Sequence, residues 1–378
     1  MLASRPHLLL QPANLVLAAS LALAGPAASA AGAAAATADS AGRPGAPQHL
    51  LEVGTARGAP GQNVRGTLKV AERSDGTPLT LPIVIVTGRN AGPVVWVDAL
   101  THGDEYGGGR ALQAVVRRLD PERMSGSLVA VMVTNPPAVQ GLQRVNPSLD
   151  DLMDMGDAYP GRTDRFATER IAAALAAQVK EKAAYFVDLH TGGDRFKQHP
   201  FIFYALTGGV PEERYDDLAR GFGIPTLWRD TVRVFKDDAV TIYSAAGIPS
   251  FLVEVGGGQP IDPADVRLQA DAVLSFLAKT GVAPGPPARL AGYTVVTGYR
   301  IVTNDRGGFF DASVGPGDRV REGTPLGTIT DVHGDVVETM RAPAGSDIVL
   351  GVSTYPAAAT GGWLFELGSG LTESKGHE

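Results

Sequence analysis

Short apolar runs recur between residues 81 and 281: 83–86, 94–97, 128–133, 185–189, 201–205 and 251–255. Their length and their content of β-branched and aromatic residues predict buried strands. Between them, apolar residues fall three and four apart, as on one face of a helix. Leu112, Val115, Val116 and Leu119 form one such set, and Ile171, Leu175 and Val179 another. Tyr215, Leu218 and Phe222, then Val266, Val273 and Leu277, predict two more helices. These open at Pro211 and Pro263, since proline is tolerated in a first helical turn. Strands alternating with helices predict an α/β fold, a sheet covered on both faces.

The pattern changes at Pro284-Gly285-Pro286-Pro287, which reads as a linker. Beyond it lie glycine-punctuated runs such as GYTVVTGYRIVT and DIVLGVS, without helical periodicity. They predict a small all-β domain. The spacing G-D-x-V-x-x-G-x-x-L-G, from Gly317 to Gly327, resembles half of a lipoyl or biotinyl carrier domain. Such a domain presents a modifiable lysine on a hairpin. The only lysine after Arg321 is Lys375, so the expectation is the scaffold without its prosthetic group, shaping or shielding a site.

At the other end, Arg5, an apolar stretch from Leu15 to Leu23, the Gly25-Pro26 break and the small residues Ala28 and Ala30 predict an export signal over 1–30. The stretch is shorter than the roughly 20 residues that span a bilayer, so removal after Ala30 is preferred to a membrane anchor. Residues 31–48 are rich in Ala, Gly and Pro and predict a disordered leader. The expected organisation is therefore an α/β domain over 49–283 and the β domain over 288–372, exported to the periplasm or the exterior, with no membrane span after signal removal.

Composition narrows the chemistry. A net charge of -7 with scattered Lys and Arg leaves no basic footprint, which sets nucleic acid aside as a partner. Cysteine is absent, which excludes disulfides, thiolate metal sites and a thiol nucleophile. Any metal must then be held by His and carboxylates. The oligomeric state is not fixed by these observations.

Three motifs sit where apolar runs end: THGDE after VVWVDAL, LHTGG after YFVD, and EVGGG closing SFLV. In open α/β sheets, ligands gather at the carboxyl ends of strands, so the three belong at one rim. His102 and Glu105 are three apart and His190 can join them. Two histidines and a glutamate form the open catalytic zinc set. An H-x-x-E pair alone recurs by chance, and His190 alone reads equally as a core histidine. With only 7 histidines in the chain, two of them in glycine-rich turns after strands favour the metal. Asp188 is a candidate to orient a ligand, or simply a strand-end aspartate. Glu254 stands in an otherwise apolar strand, where an unpaired charge is expensive. A structural ion pair explains it, and so does a general acid/base that takes a proton from the attacking water and returns it to the leaving amine. A zinc ion beside it would acidify that water and polarise the carbonyl.

THGDEYGG, VDLHTGG and FLVEVGGG together resemble the succinylglutamate desuccinylase/aspartoacylase family, relatives of the zinc carboxypeptidases. The resemblance implies a carboxypeptidase-like α/β/α mixed sheet, one zinc on His102, Glu105 and His190, and a catalytic carboxylate at Glu254. It also implies that Arg144, in GLQRVNP, matches an arginine that polarises the scissile carbonyl; apart from the family, Arg144 reads as an exposed surface residue. The segment from Asp154 to Gly161 departs from the family's D-L-N-R-x-F-P-G. Gly156 and Asp157 stand where the family's Asn-Arg pair grips a substrate carboxylate, with Tyr159 beside them. Arg162, Arg165 and Arg195 are candidates to replace that clamp, or are solvated charges.

The leading expectation is an exported zinc hydrolase of a small amide or peptide-like substrate. A metallocarboxypeptidase-like peptidase is one alternative, and a non-enzymatic protein binding a ligand in the same pocket is another.

Overall fold

The apolar runs become the strands of one mixed sheet, and the helical patterns its cover. The computed structural model describes residues 50–375; the expected export signal and leader lie outside them. The first part runs β1 (Leu51–Val53), β2 (Ala56–Gly58), β3 (Gln62–Glu72), β4 (Pro78–Thr87), β5 (Asn90–Ala99), α1 (Tyr106–Arg118), β6 (Ser125–Val131), α2 (Pro136–Gly141) and α3 (Ala167–Lys182). It continues with β7 (Tyr185–His190), β8 (Phe196–Ala205), α4 (Glu212–Arg220), β9 (Thr226–Asp230), α5 (Ala239–Ala245), β10 (Ser250–Gly256) and α6 (Pro263–Lys279). After the proline-rich linker only strands of any length follow among the described residues. These are β11 (Gly292–Val296), β12 (Gly298–Thr303), β13 (Gly308–Ala312), β14 (Pro325–Thr330), β15 (Val336–Arg341), β16 (Ile348–Ser353), β17 (Ala357–Ala358), β18 (Trp363–Ser369) and β19 (Thr372–Lys375).

The main sheet follows the order β12-β18-β16-β8-β10-β7-β5-β6-β4-β3. Its centre, β6-β5-β7-β10, is parallel, and the strands flanking it are antiparallel to it. Alternate side chains leave the pleat on opposite faces. Val95, Val97 and Ala99 pack with Leu112 and Val115 of α1, Leu218 of α4 and Phe276 of α6. Trp96 and Phe186 pack on the other face with Ile171 and Leu175 of α3 and Tyr243 of α5.

The expected boundary between residues 283 and 288 is a change of composition across which the sheet continues. Strand β8 forks. Phe196–Gln198 pair with β16, while Phe201–Ala205 pair in parallel with β9. Both branches recruit strands from the C-terminal part, β18 and β12 on one side and β11 and β19 on the other. The described residues accordingly form one compact unit. The β-rich tail also has a four-stranded sheet, β15-β14-β13-β17, and an apolar core around Leu326, Ile329 and Phe365.

Other differences have local causes. β3 is long but alternates exposed and half-buried residues along the sheet margin, so no apolar run announces it. β9 contains Arg229, whose charge interrupts the apolar signal and is paired with Asp216 at 2.8 Å. Pro263 is the first residue of α6, capped by Asp262, as expected. Pro211 instead precedes α4 as its cap residue, and Phe222 falls beyond the helix end.

Candidate active site

Strand register brings the three motifs together. In the parallel pair β7–β10, Glu254 lies directly beside His190, and in β5–β7, Asp98 lies beside Asp188. Leu100, with φ of 61°, turns the chain out of β5 and delivers His102 and Glu105 to the same rim. Glu105 is the residue that leads into α1. Gly103 between them is pressed on α2: a Cβ there would lie 2.3 Å from the Ala138 carbonyl oxygen. No other residue fits that close approach.

His102, Glu105 and His190 are buried, and one ligand atom from each lies within 4.8 Å of the others. Nδ1 of His102 is 2.7 Å from one carboxylate oxygen of Glu105, and Nδ1 of His190 is 3.1 Å from the other. The Nε2 atoms face away, His102 onto Asp154 at 2.9 Å and His190 onto Asp188 at 3.1 Å. Thr101 Oγ1 also donates to Asp188, at 3.0 Å. With Nε2 donating to these carboxylates, both Nδ1 lone pairs would be free for a shared cation, the arrangement typical of metal-binding histidines. The donor set therefore fits a divalent ion such as zinc.

The charges around this set follow from the same contacts. Burial works to raise the pKa of Glu105, but His102 and His190 outweigh it and hold the carboxyl well below its usual range. Asp154 behaves alike: burial is outweighed by His102 and then by Arg144. Arg144 donates to Asp154 at 2.7 Å and reaches Glu105 at 3.5 Å, its side chain half exposed. Glu254 stands apart. Its Oε1 is buried with no partner. Burial, reinforced by the negative charge of Glu105, pushes its pKa well above the ordinary carboxylate value.

These residues line one cavity of about 320 Å³. Arg144, Gly156, Asp157, Tyr159 and Arg195 all face it, whereas Arg162 is tied at the surface to Asp164 at 3.0 Å, and Arg165 is likewise outside the lining. Gly156 does more than leave a space. Its amide donates to Asp154 at 2.8 Å, and a Cβ on it would come to 3.4 Å from Nε2 of His102. Asp157 is exposed at the cavity mouth; burial and then the charge of Asp154 raise its pKa. Tyr159 is buried and its hydroxyl has no partner.

Sequence reasoning missed Glu366. It lies on β18, in the β-rich tail, buried against the cavity, and accepts from Gln198 at 3.1 Å. Burial pushes its pKa up to about 7 against the hydrogen bonds from Gln198 and Tyr299. The available signal was the one that flagged Glu254, a lone carboxylate inside an apolar strand, here WLFELG.

A mixed α/β sheet whose parallel strands end in a His-Glu-His set beside a buried, unpartnered glutamate is built as a hydrolase of amide bonds. Residues 91–280 match the model of the succinylglutamate desuccinylase/aspartoacylase catalytic domain, and the chain belongs to that family. Over 305 residues it is 26% identical to N-alpha-acetyl-L-2,4-diaminobutyric acid deacetylase of Halomonas elongata, covering 78% of this chain and 87% of that protein. The product-bound structure of the ectoine utilization protein EutE (DoeB) from Ruegeria pomeroyi shares the fold, with a TM-score of 0.73 at 21% identity over 82% of this chain and 95% of that one. A succinylglutamate desuccinylase/aspartoacylase from Rhodobacter sphaeroides shares it with a TM-score of 0.70 at 24% identity over 81% and 95%.

Proposed function

We propose that the protein is an exported, zinc-dependent deacylase of a small N-acylated amine, with His102, Glu105 and His190 holding the ion and Glu254 moving the proton. A zinc ion held there would polarise the scissile carbonyl and make water a stronger nucleophile near neutral pH. Glu254 accepts one proton as the water oxygen attacks the carbonyl carbon. It then donates that proton to the nitrogen as the carbon–nitrogen bond breaks, leaving an amine and a carboxylic acid whose remaining proton passes to the amine or to solvent. Beside a bound cation Glu254 would be ionised to accept the proton, and the burial that raises its pKa makes that carboxylate the stronger base. Arg144 would face the developing charge on the carbonyl oxygen, a role its place in the cavity lining supports. The observation that carries this reading is the unpartnered Oε1 of Glu254 in register with His190.

The substrate end that faces Asp157 is neutral or cationic. An aspartate stands where family members carry a carboxylate-gripping arginine, and like charges in a partly dry pocket repel. The diaminobutyric acid compound named for the Halomonas relative carries a free amine as well as a carboxylate, which supports an amine-bearing substrate. Arg195 is the remaining cation for any carboxylate. The β-rich tail, as a carrier-like scaffold without its prosthetic group, shapes the site through Tyr299, Trp363 and Glu366. Residues 1–30 serve as the signal, which N-terminal sequencing of the secreted form would check.

The decisive experiment is metal analysis of the purified mature protein with a panel of N-acylated diamines, N-acyl amino acids and short peptides. One zinc per chain and cleavage of the amine-bearing members is expected. Metal binding without turnover on any amide supports a binding protein instead, and a preference for peptides a peptidase.

A further inference from the structure

Five of the aromatic rings that line the same cavity belong to one cluster, and neither the proton transfer nor the ion uses them. Phe201 and Phe203 come from β8, Trp228 from β9, Phe235 from the loop after it, and Tyr299 from β12. They centre on Trp228. Tyr299 stacks on it at 4.5 Å and 15°, and Phe203, Phe201 and Phe235 meet it edge-on at 4.9, 5.7 and 5.7 Å. The fork in β8 makes this possible, since β9 and β12 belong to its two branches.

The rings touch one another, as in a core packed to near-crystalline density, and they also border the open volume of the cavity, together with Leu252 and Val240. The indole Nε1 of Trp228 is buried and has no hydrogen-bond partner. An indole N–H is donor only and is satisfied in most buried tryptophans. An occupant is thus called for that covers apolar walls and offers one acceptor.

We infer that this chamber is a substrate subsite for an apolar group of aromatic size, carried on one side of the scissile amide and bearing a hydrogen-bond acceptor that Trp228 Nε1 meets. A compact acetyl or a charged succinyl group would leave the walls wet. The inference rests on the hydrolase reading only in placing that group next to an amide. The group comes with either the acyl part or the amine part of the substrate, and the test separates the two.

The zinc-loaded full mature chain is assayed on two matched series: acetyl against phenylacetyl and 4-hydroxyphenylacetyl amides of one amine, and acetyl amides of ethylamine against phenethylamine and tyramine. The corresponding free acids and amines are titrated by calorimetry, which needs no turnover. The expected result is an aromatic preference of roughly 10-fold or more in kcat/KM within one series, the scale on which apolar pockets discriminate, with tighter binding of the matching product. In Trp228→Phe, which keeps a ring and removes the donor, the advantage of the hydroxyl-bearing member over the plain phenyl member should fall about 3-fold or more. In Ala239→Leu, which fills the chamber from α5, the aromatic preference in that series should collapse. Cleavage of the acetyl compounds with equal or poorer cleavage of the aromatic ones overturns the subsite and leaves the hydrolase standing. Binding of aromatic acids or amines without cleavage of any amide upholds the subsite and defeats the hydrolase. Absence of both aromatic binding and aromatic cleavage overturns the subsite.

Discussion

The two buried glutamates beside the histidines are chemically alike and placed differently. Glu105 is held ionised by imidazoles on both of its oxygens, while Glu254 keeps one oxygen free. Glu254→Gln should therefore retain zinc and lose roughly 10²–10⁴ of the rate, the usual worth of a general acid/base. Metal content and turnover on one substrate check this, and parent-like turnover would remove Glu254 from the mechanism. His190→Ala removes a donor from the three-residue set, so stoichiometric zinc should be lost; a variant that binds the ion as tightly as the parent would show the ligand set to be wrong. At the cavity mouth, Asp157→Arg should shift preference toward free-acid substrates over matched amides. Kinetics on such pairs decide, and a parent that already favours the acid defeats the reading of Asp157.

At the scale of elements, β18 carries Glu366 from the tail into the cavity, and its charge state couples that strand to pH. The folded value of about 7 lies above the ordinary 4.5, with burial as the first cause. Between those values the folded chain holds a proton that the unfolded chain releases. The associated stability is thus fully present below about pH 4.5 and is lost as pH rises through 7. Glu366→Gln keeps the neutral shape and cannot ionise. Its stability should gain on that of the parent between pH 5 and 8, by on the order of 3 kcal/mol at most from the shift, and its melting temperature should rise relative to the parent's accordingly. Parallel thermal scans across that range test it, and a pH-independent difference would mean that Glu366 titrates normally.

For the whole molecule, the forked β8 ties the tail to the hydrolase core. Ending the chain after Pro287 would strip β16 from β8 and β11 from β9, leaving two bare sheet edges and an aromatic face without Tyr299. Exposed edges of this kind invite aggregation. The truncated chain is expected to be insoluble or to lack a cooperative transition, whereas the mature protein should unfold in one calorimetric step. A soluble, cooperatively folding fragment of residues 49–287 would restore the division at the linker as a true domain boundary.

Much of this was legible in the residue order, for definite reasons. Buried parallel strands are continuous apolar runs, so β5, β7 and β10 announced themselves, and the residues that follow them had to meet at one rim. That alone sets His102, Glu105, His190 and Glu254 side by side. β3, half wet along its length, and β9, interrupted by Arg229, carried no such pattern. Tertiary structure alone decided the rest. The pairing of β8 with β16 joins residues more than a hundred positions apart, and a linker-like composition at 284–287 conceals it. That pairing brings Glu366 and Tyr299 to the cavity and Tyr299 onto Trp228, while the loop between α2 and α3 folds back to pair Arg144 with Asp154. Local periodicity records which face of an element is buried, and it holds no information about which distant surface, or which space, that face will meet.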